Sequence, residues 1–257
     1  MFGLVHNLYM AVSFLLTIIL LVIFNKFVKN EKHKHIILRV TAILVVAIHF
    51  SVIWVEYLKN GSAEIESPML FPIYPCNVIM WMLLITSSIK KKDNTAYRIL
   101  SEFTAIGGIV CGTIGIILNE NFIRTPSLMD YDVLAGMLSH SVMVFGCLYL
   151  IVSGFVKVRV FNVVSCACGL TYFIINGGII NLIYYLCKLD SCNSMYMLEV
   201  PFESMPWLTP YLMGVVALVL VFIVTAIYEF FALKKEDRWY NKFKPQIEDD
   251  EILVRRK

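Results

Sequence analysis

Seven apolar stretches separated by short polar loops constrain the fold of this chain more than any other feature. They cover residues 8–28, 36–58, 68–89, 98–118, 133–153, 160–187 and 208–232. A helix needs ~20 residues to cross the hydrocarbon layer of a bilayer. Because 59% of all residues are hydrophobic, the composition excludes an ordinary soluble fold. We predict an all-α, polytopic membrane protein, with a seven-helix transmembrane domain over residues 1–233 and a charged, partly disordered cytoplasmic tail over residues 234–257.

The distribution of Lys and Arg predicts the orientation of these helices. Of the 22 Lys and Arg residues, all except Lys59, Arg124 and Lys188 lie in the first, third and fifth loops, at the segment ends beside them, or in the tail. Positively charged loops stay in the cytoplasm. We therefore predict a multi-pass protein of the cell membrane with its N-terminus outside and its C-terminus cytoplasmic. No basic surface with interleaved aromatic residues remains for nucleic acid.

The third segment is interrupted by two prolines, Pro72 and Pro75. Proline disfavours helix in the residue before it and is favoured at the first helical position. We therefore predict a helix that starts at Pro75 and ends near Ile89, which is ~22 Å long and shorter than the bilayer. Residues 69–74 must cover the remaining distance without a helix. Such backbone is tolerated only inside protein or beside a watery cavity, which predicts a pocket here.

Cys76 lies in the first turn of this predicted helix. Free backbone N–H groups and the positive end of the helix dipole stabilise a thiolate at that position. The pattern indicates an activated cysteine. The alternative is a helix start shaped by proline, in which the thiol has no chemical role.

Polar residues on other segments lie at a similar depth. His49, His140 and Asn181 are each six to nine residues from the outer end of their segment, which is ~10 Å of helix. Ionisable groups at this depth usually face a cavity or a partner. The convergence predicts an outer-leaflet pocket with Cys76 and His140 as catalytic residues. Residues expected to bind or orient substrate are His49, Tyr74, Asn77, Ser139, Asn181 and Tyr185. Hydrogen bonding between helices is the alternative role for His49 and Asn181.

Two further patterns concern packing and covalent structure. The spacing of Gly108 and Gly112 in the fourth segment allows helices to approach closely. Cys187 and Cys192 are near each other in an outer region, where an oxidising compartment would allow them to pair.

The residues Pro72 to Asn77, His140, Asn181 and Pro206-Trp207 are similar to motifs of the YwaF-like integral membrane family. Its animal relatives are described as transmembrane acyltransferases that act on phospholipids. The resemblance implies that Cys76 carries an acyl group as a thioester and that His140 is the base. Two positions depart from the family pattern: Tyr74 stands where a His is common, and Ser141 where a Gly often follows the His. Either departure could alter the substrate or abolish activity.

The expected activity is that of a membrane lipid acyltransferase or acyl hydrolase. A membrane phospholipid would be the acyl donor, a lyso-lipid, a lipoprotein amine or water the acceptor, and no cofactor or metal is expected. The alternative is a seven-helix receptor or small-molecule transporter without covalent chemistry. A third reading is an intramembrane metal hydrolase, in which Glu56 or Cys76 would join His49 and His140 as ligands.

Overall fold

The computed structural model describes residues 3–61, 72–90, 93–119, 122, 127–189, 192–200, 206–207 and 209–242. These residues form helices and connecting turns, and no strand occurs among them. The helices are α1 (Leu4–Phe27), α2 (Glu31–Asn60), α3 (Pro75–Ser88), α4 (Thr95–Ile117), α5 (Tyr131–Val152), α6 (Asn162–Cys187), α7 (Pro210–Ala232) and the short α8 (Trp239–Lys242). Two 3-10 turns cover Ser194–Tyr196 and Lys235–Asp237. The all-α prediction is confirmed.

Six of these helices are long and apolar enough to cross a membrane: α1, α2, α4, α5, α6 and α7. The third apolar segment differs, because α3 has only 14 residues, or ~21 Å of helix. It begins at Pro75, as the proline pattern predicts, and is preceded by extended backbone at Tyr74. The part of this segment before Pro72 lies outside the described residues.

Short connections make the helices alternate in direction, so the bundle has two distinct ends. The starts of α2, α4 and α6 lie at one end, which we call the basic end because most of the Lys and Arg residues flank it. The starts of α1, α3, α5 and α7 lie at the opposite end, which we call the Cys76 end. Hydrogen bonds across the bundle connect elements at the same end, such as Ser51 Oγ with Tyr131 Oη at 2.7 Å.

The glycine face of α4 brings two neighbouring helices close to its backbone. A methyl group added to Gly108 would be 2.2 Å from Cys147 Sγ on α5 and 2.9 Å from Ile79 on α3. At Gly112 it would be 2.6 Å from Val144, one turn along α5. These separations are too short for any side chain larger than hydrogen. The predicted packing role of Gly108 and Gly112 is confirmed.

α6 packs on another side of α4. A methyl group added to Gly169 of α6 would be 2.1 Å from the ring of Phe103 on α4. Nearer the basic end, Ser165 Oγ donates to Glu102 Oε2 at 2.5 Å. α1 is more peripheral and contacts α5, while α7 contacts α6. Both expose apolar side chains along their length, which is expected of helices that face lipid.

Glu229 connects three elements at the basic end. Its side chain is 1% exposed, and its carboxylate accepts from the backbone N–H of Val160 at 2.7 Å and of Trp239 at 2.8 Å. The first contact holds the turn between α5 and α6, and the second holds α8. Within the predicted tail after Leu233, residues 235–242 fold back against α7, where the Trp239 ring lies edge-on to Phe222 with centroids 5.7 Å apart. Residues 243–257 lie outside the described part of the chain.

Replacing Glu229 with Leu is expected to destabilise the protein. The N–H groups of Val160 and Trp239 would lose their acceptor, at ~1–3 kcal/mol for each buried group left unpaired. Thermal unfolding of the purified protein in detergent should show a lower midpoint. Glu236→Leu is the matched control, because Glu236 is exposed. Equal midpoints for the two variants would contradict the connecting role of Glu229.

Candidate active site

Cys76 is the second residue of α3, and its thiol lies among polar groups of the first turn. The sulfur donates to Asn77 Oδ1 at 3.2 Å. Tyr74 O accepts from the N–H groups of Asn77 and Val78, which closes the first turn. Amide donors at a helix N-terminus would stabilise negative charge on this sulfur.

The extended residues before Pro75 are held by hydrogen bonds to their carbonyl groups. Pro72 O accepts from Asn176 Nδ2 of α6 at 2.9 Å. Ile73 O accepts from Ser194 Oγ at 3.0 Å and from Met195 N at 2.9 Å. Ile73 itself is 3% exposed. The non-helical backbone is therefore buried in protein, with its carbonyls satisfied, as bilayer physics requires.

Asn181 holds the turn that makes these contacts. Its Oδ1 accepts from Ser194 N at 2.7 Å, and its Nδ2 donates to Ser194 O at 3.3 Å. Tyr196 in the same turn stacks on Tyr74, with ring centroids 5.4 Å apart. Met195 and Tyr196 both have φ of 56°, a left-handed conformation that costs energy in residues with a side chain. Two residues expected to orient substrate, Asn181 and Tyr74, thus contact this turn.

His140 lies near the Cys76 end of α5 with its ring against α4. Its Nδ1 is 2.7 Å from the carbonyl oxygen of Gly136, which also accepts from Ser139 Oγ at 2.9 Å. Because Nδ1 donates to this carbonyl, Nε2 of the neutral ring carries the lone pair. A methyl group added to Gly115 would be 2.1 Å from Cδ2 of the ring. The imidazole therefore depends on the glycine for its space.

Cys76 and His140 are on α3 and α5, two helices that both pack against α4. Cys76 and Cys111 of α4 both pack against the hydrophobic core of the bundle. Gly115, which contacts His140, is four residues from Cys111, or ~6 Å along the helix axis. Each side chain bonds within its own helix, Cys76 Sγ to Asn77 Oδ1 and His140 Nδ1 to Gly136 O, and no hydrogen bond joins the two in the described part of the chain.

The remaining predicted residues have other surroundings. His49 on α2 is half-buried, with its ring edge-on to Phe50 at 5.3 Å. Tyr185 is 81% exposed, so little of its side chain packs against the protein. Ser141, the position that departs from the family pattern, bonds to Tyr9 at 3.0 Å and Ser13 at 2.8 Å. It connects α5 to α1.

His6, which the sequence pattern does not mark as a site residue, is fully buried near the same end. Its Nε2 donates to Ile116 O at 3.0 Å, and its ring lies 4.7 Å from that of Phe122. The last carbonyls of a helix have no partner within the helix, so His6 satisfies one at the end of α4. In the sequence, His6 is visible only as a histidine just before the first apolar segment. That position does not indicate that its hydrogen-bond acceptor is the carbonyl oxygen of Ile116, 110 residues away.

The cysteines outside the bundle core are thiols in this structure. Cys187 is exposed and Cys192 is half-buried, and neither forms a disulfide. Burial raises the pKa of the Cys192 thiol, although its hydrogen bond to the Ser194 backbone acts in the opposite direction. Within the described ranges, no group of three or more His, Cys, Asp or Glu residues is arranged to hold a metal ion.

A family model described as the TMEM164 family matches residues 1–228. The chain belongs to the TMEM164 family. No curated protein and no solved structure matches the chain. TMEM164-family membership agrees with the six helices that are long and apolar enough to cross a membrane, and supports the membrane-protein class. The comparisons name no activity for this TMEM164-family protein, so the YwaF-like resemblance and the acyltransferase chemistry stay predictions.

Asn181→Ala is expected to loosen the turn at residues 194–196 in this TMEM164-family protein. The variant removes both side-chain contacts to the Ser194 backbone, while the helical position of residue 181 tolerates Ala. Hydrogen exchange followed by mass spectrometry should show faster exchange in peptides that contain residues 194–197. Tyr185→Ala is the control on the same helix, because Tyr185 is largely exposed. Unchanged exchange in Asn181→Ala would contradict the proposed contact.

Proposed function

We propose that this protein transfers or hydrolyses acyl groups of membrane phospholipids, with Cys76 as the nucleophile and His140 as the general base. The observation that carries the proposal is the arrangement around α4. A thiol lies in the first turn of α3, and an imidazole whose Nδ1 is fixed by a carbonyl lies on α5, and both helices pack against α4. A nucleophile with a nearby oriented base is the usual arrangement for covalent catalysis.

The first step would form an acyl-cysteine. His140 Nε2 accepts the thiol proton as Sγ attacks the carbonyl carbon of the phospholipid ester. The tetrahedral intermediate then collapses: the bond between the carbonyl carbon and the ester oxygen breaks, and the imidazolium returns the proton to that oxygen. The products are a thioester on Cys76 and a lysophospholipid.

The second step would release the acyl group. His140 takes a proton from the acceptor, a lyso-lipid hydroxyl, a lipoprotein amine or water. The acceptor oxygen or nitrogen forms a bond to the carbonyl carbon, the carbon–sulfur bond breaks, and the proton returns to sulfur. Water as acceptor makes the protein a hydrolase, and any other acceptor makes it a transferase.

A lipid substrate fits the location of these residues. Both lie on helices within the apolar bundle, near the end where α3 begins after non-helical backbone. Neighbouring helices expose apolar side chains, which would let an acyl chain approach sideways. With the basic end in the cytoplasm, as the positive charges favour, α3 would complete a seventh crossing and the Cys76 end would lie in the outer leaflet. A receptor or transporter would use the same bundle without forming an adduct.

Replacing Cys76 with Ala is expected to abolish acyl labelling. Purified protein would be incubated with vesicles of a phospholipid that carries an alkyne-tagged palmitoyl chain. A hydroxylamine-sensitive adduct should form on the wild type and on Cys111→Ala, which removes the neighbouring thiol. His140→Ala should label ~10²–10⁴-fold more slowly, the usual effect of losing a general base. Equal labelling of wild type and Cys76→Ala would refute the nucleophile, and saturable lipid binding without an adduct would favour a receptor or transporter.

Gly115→Ala is expected to lower the rate of the same labelling reaction. The added methyl would meet the His140 ring and displace Nε2 from its position. Misplacement of a catalytic group by ~1 Å can reduce a rate ~10²-fold. Gly178→Ala is the matched control, because nothing lies within 4 Å of the methyl added there. Labelling of Gly115→Ala at the wild-type rate would show that the ring position does not limit the reaction.

A further inference from the structure

The connection between α6 and α7 folds back along α6. The helix ends at Cys187, yet Met195 and Met197 lie against it at Gly177. Gly177 is ten residues before Cys187, which is ~15 Å along the helix axis. Residues 194–197, which we call the plug, therefore lie well below the end of α6. Met195 is 5% exposed, so the plug is inserted into the bundle.

The side chains of the plug fill an apolar cleft beside α6. The three atoms nearest to a methyl group added at Gly177 are Met197 Sδ at 2.6 Å and Met195 Cβ and Cγ, both at 3.0 Å. Phe173 and Ile180, about one turn to either side of Gly177, are buried on the same face of the helix. The cleft thus depends on the missing side chain at Gly177, and the two methionines occupy it.

The backbone of the plug is strained. Met195 has φ 56° and ψ 21°, and Tyr196 has φ 56°. A left-handed conformation costs energy in a residue with a side chain and persists only where surrounding contacts hold it. Here Asn181 bonds to both backbone groups of Ser194, and Ile73 O accepts from Ser194 Oγ and Met195 N. Leaving the cleft would release the strain, which reduces the free energy needed to displace the plug.

The plug also contacts the residues just before the proposed nucleophile. Ile73, which accepts two of its hydrogen bonds, is three residues before Cys76. Tyr74, which stacks on Tyr196, is two residues before it. Displacement of the plug would therefore open the cleft beside the start of α3.

The two methionines indicate what could replace them. A methionine side chain is unbranched, flexible and apolar, so it fills the same narrow space as a stretch of alkyl chain. The neighbouring side chains Phe173 and Ile180 are apolar too, and the next residues of α6 on the other face, Ile175 and Ile179, are exposed. An alkyl chain that reaches the cleft would exchange one apolar surrounding for another.

We propose that the plug is displaceable and that an acyl chain of a membrane lipid replaces Met195 and Met197 at Gly177. The docked plug keeps the cleft closed, and an entering chain competes with the methionines while the backbone strain is released. Water near the membrane surface takes the place of the hydrogen bonds that break. The role of this device rests on the proposed acyl transfer at Cys76, to which it adds a controlled step before the chemistry.

Chain binding would be measured with the full-length Cys76→Ala protein in digitonin, a detergent without an alkyl chain. The probe is a phosphatidylcholine that carries a diazirine in its palmitoyl chain and is activated by light. We expect adducts on Phe173 or Ile180 that saturate with probe and are displaced by unlabelled dipalmitoylphosphatidylcholine. Adducts on the exposed Ile175 and Ile179 should rise in proportion to the probe.

Replacing both Met195 and Met197 with Ala should strengthen saturable binding about tenfold, because the chain no longer competes with a docked plug. A gain of binding cannot result from unfolding. Met197→Ala alone should give a smaller gain, and it decides the question if the double variant does not fold, because Met197 is only half-buried.

Gly177→Leu should abolish saturable binding, since its side chain would fill the cleft. Gly178→Leu is the matched control on the next residue, because nothing lies within 4 Å of a methyl group added there. It should bind the probe as the otherwise unchanged Cys76→Ala protein does.

Hydrogen exchange gives a separate measure of displacement. Saturating dipalmitoylphosphatidylcholine should speed exchange in peptides that contain residues 194–197. A turn with a purely structural role would exchange at the same rate or more slowly, and that result would contradict displacement.

The proposal would be overturned by the absence of saturable adducts on Phe173 or Ile180 in both the Cys76→Ala protein and its Met197→Ala variant, or by unchanged saturation in Gly177→Leu. None of these measurements uses the Cys76 thiol. Saturable binding without a thioester on Cys76 would therefore keep the plug and remove the acyl transfer. A thioester without saturable binding in the cleft would remove the plug alone.

Discussion

The close contact of α4 with its neighbours is the constraint on which the rest of the bundle depends. Without side chains at Gly108, Gly112 and Gly115, α4 allows α5 to approach along three successive turns, and Ile79 of α3 also contacts it. In a membrane no hydrophobic effect drives helices together, so such close packing carries much of the association. The same contacts hold the His140 ring against Gly115 and pack α3, the helix that carries Cys76, against α4.

The polar residues near Cys76 bond mainly to backbone. Asn181 holds Ser194, the turn at Ser194 holds Ile73, and Asn176 holds Pro72. These bonds connect α6 to the residues just before the nucleophile. They satisfy backbone that no helix satisfies, in a place without water to do so. The short helix α3 can thus start within the bundle, with Cys76 in its first turn.

Sequence rules that act over a few residues predict this structure well, and rules that need distant partners do not. The position of Pro75 predicts the start of α3, and the spacing of Gly108 and Gly112 predicts the face on which α4 packs. The partners of His6, Asn181 and Glu229 lie elsewhere in the chain; the acceptor of His6 is 110 residues away. The depth of a residue along a membrane-spanning segment can be read from the sequence, and depth places Tyr185 in the same group as His140. The sequence does not show which side of the helix a residue is on, because apolar residues can face either lipid or protein.

The two hydrogen bonds that Glu229 accepts from backbone N–H groups show that the folded part of the chain extends beyond the residue where the charge pattern changes. Composition changes at Leu233, where the apolar helix ends and charged residues begin. The Glu229 carboxylate of α7, however, accepts a hydrogen bond from the N–H of Trp239, ten residues further along the chain. The shortest chain that keeps both hydrogen bonds of this buried carboxylate therefore extends through α8. A fusion partner or a cleavage site introduced between residues 234 and 238 would leave a buried carboxylate without one of its two donors.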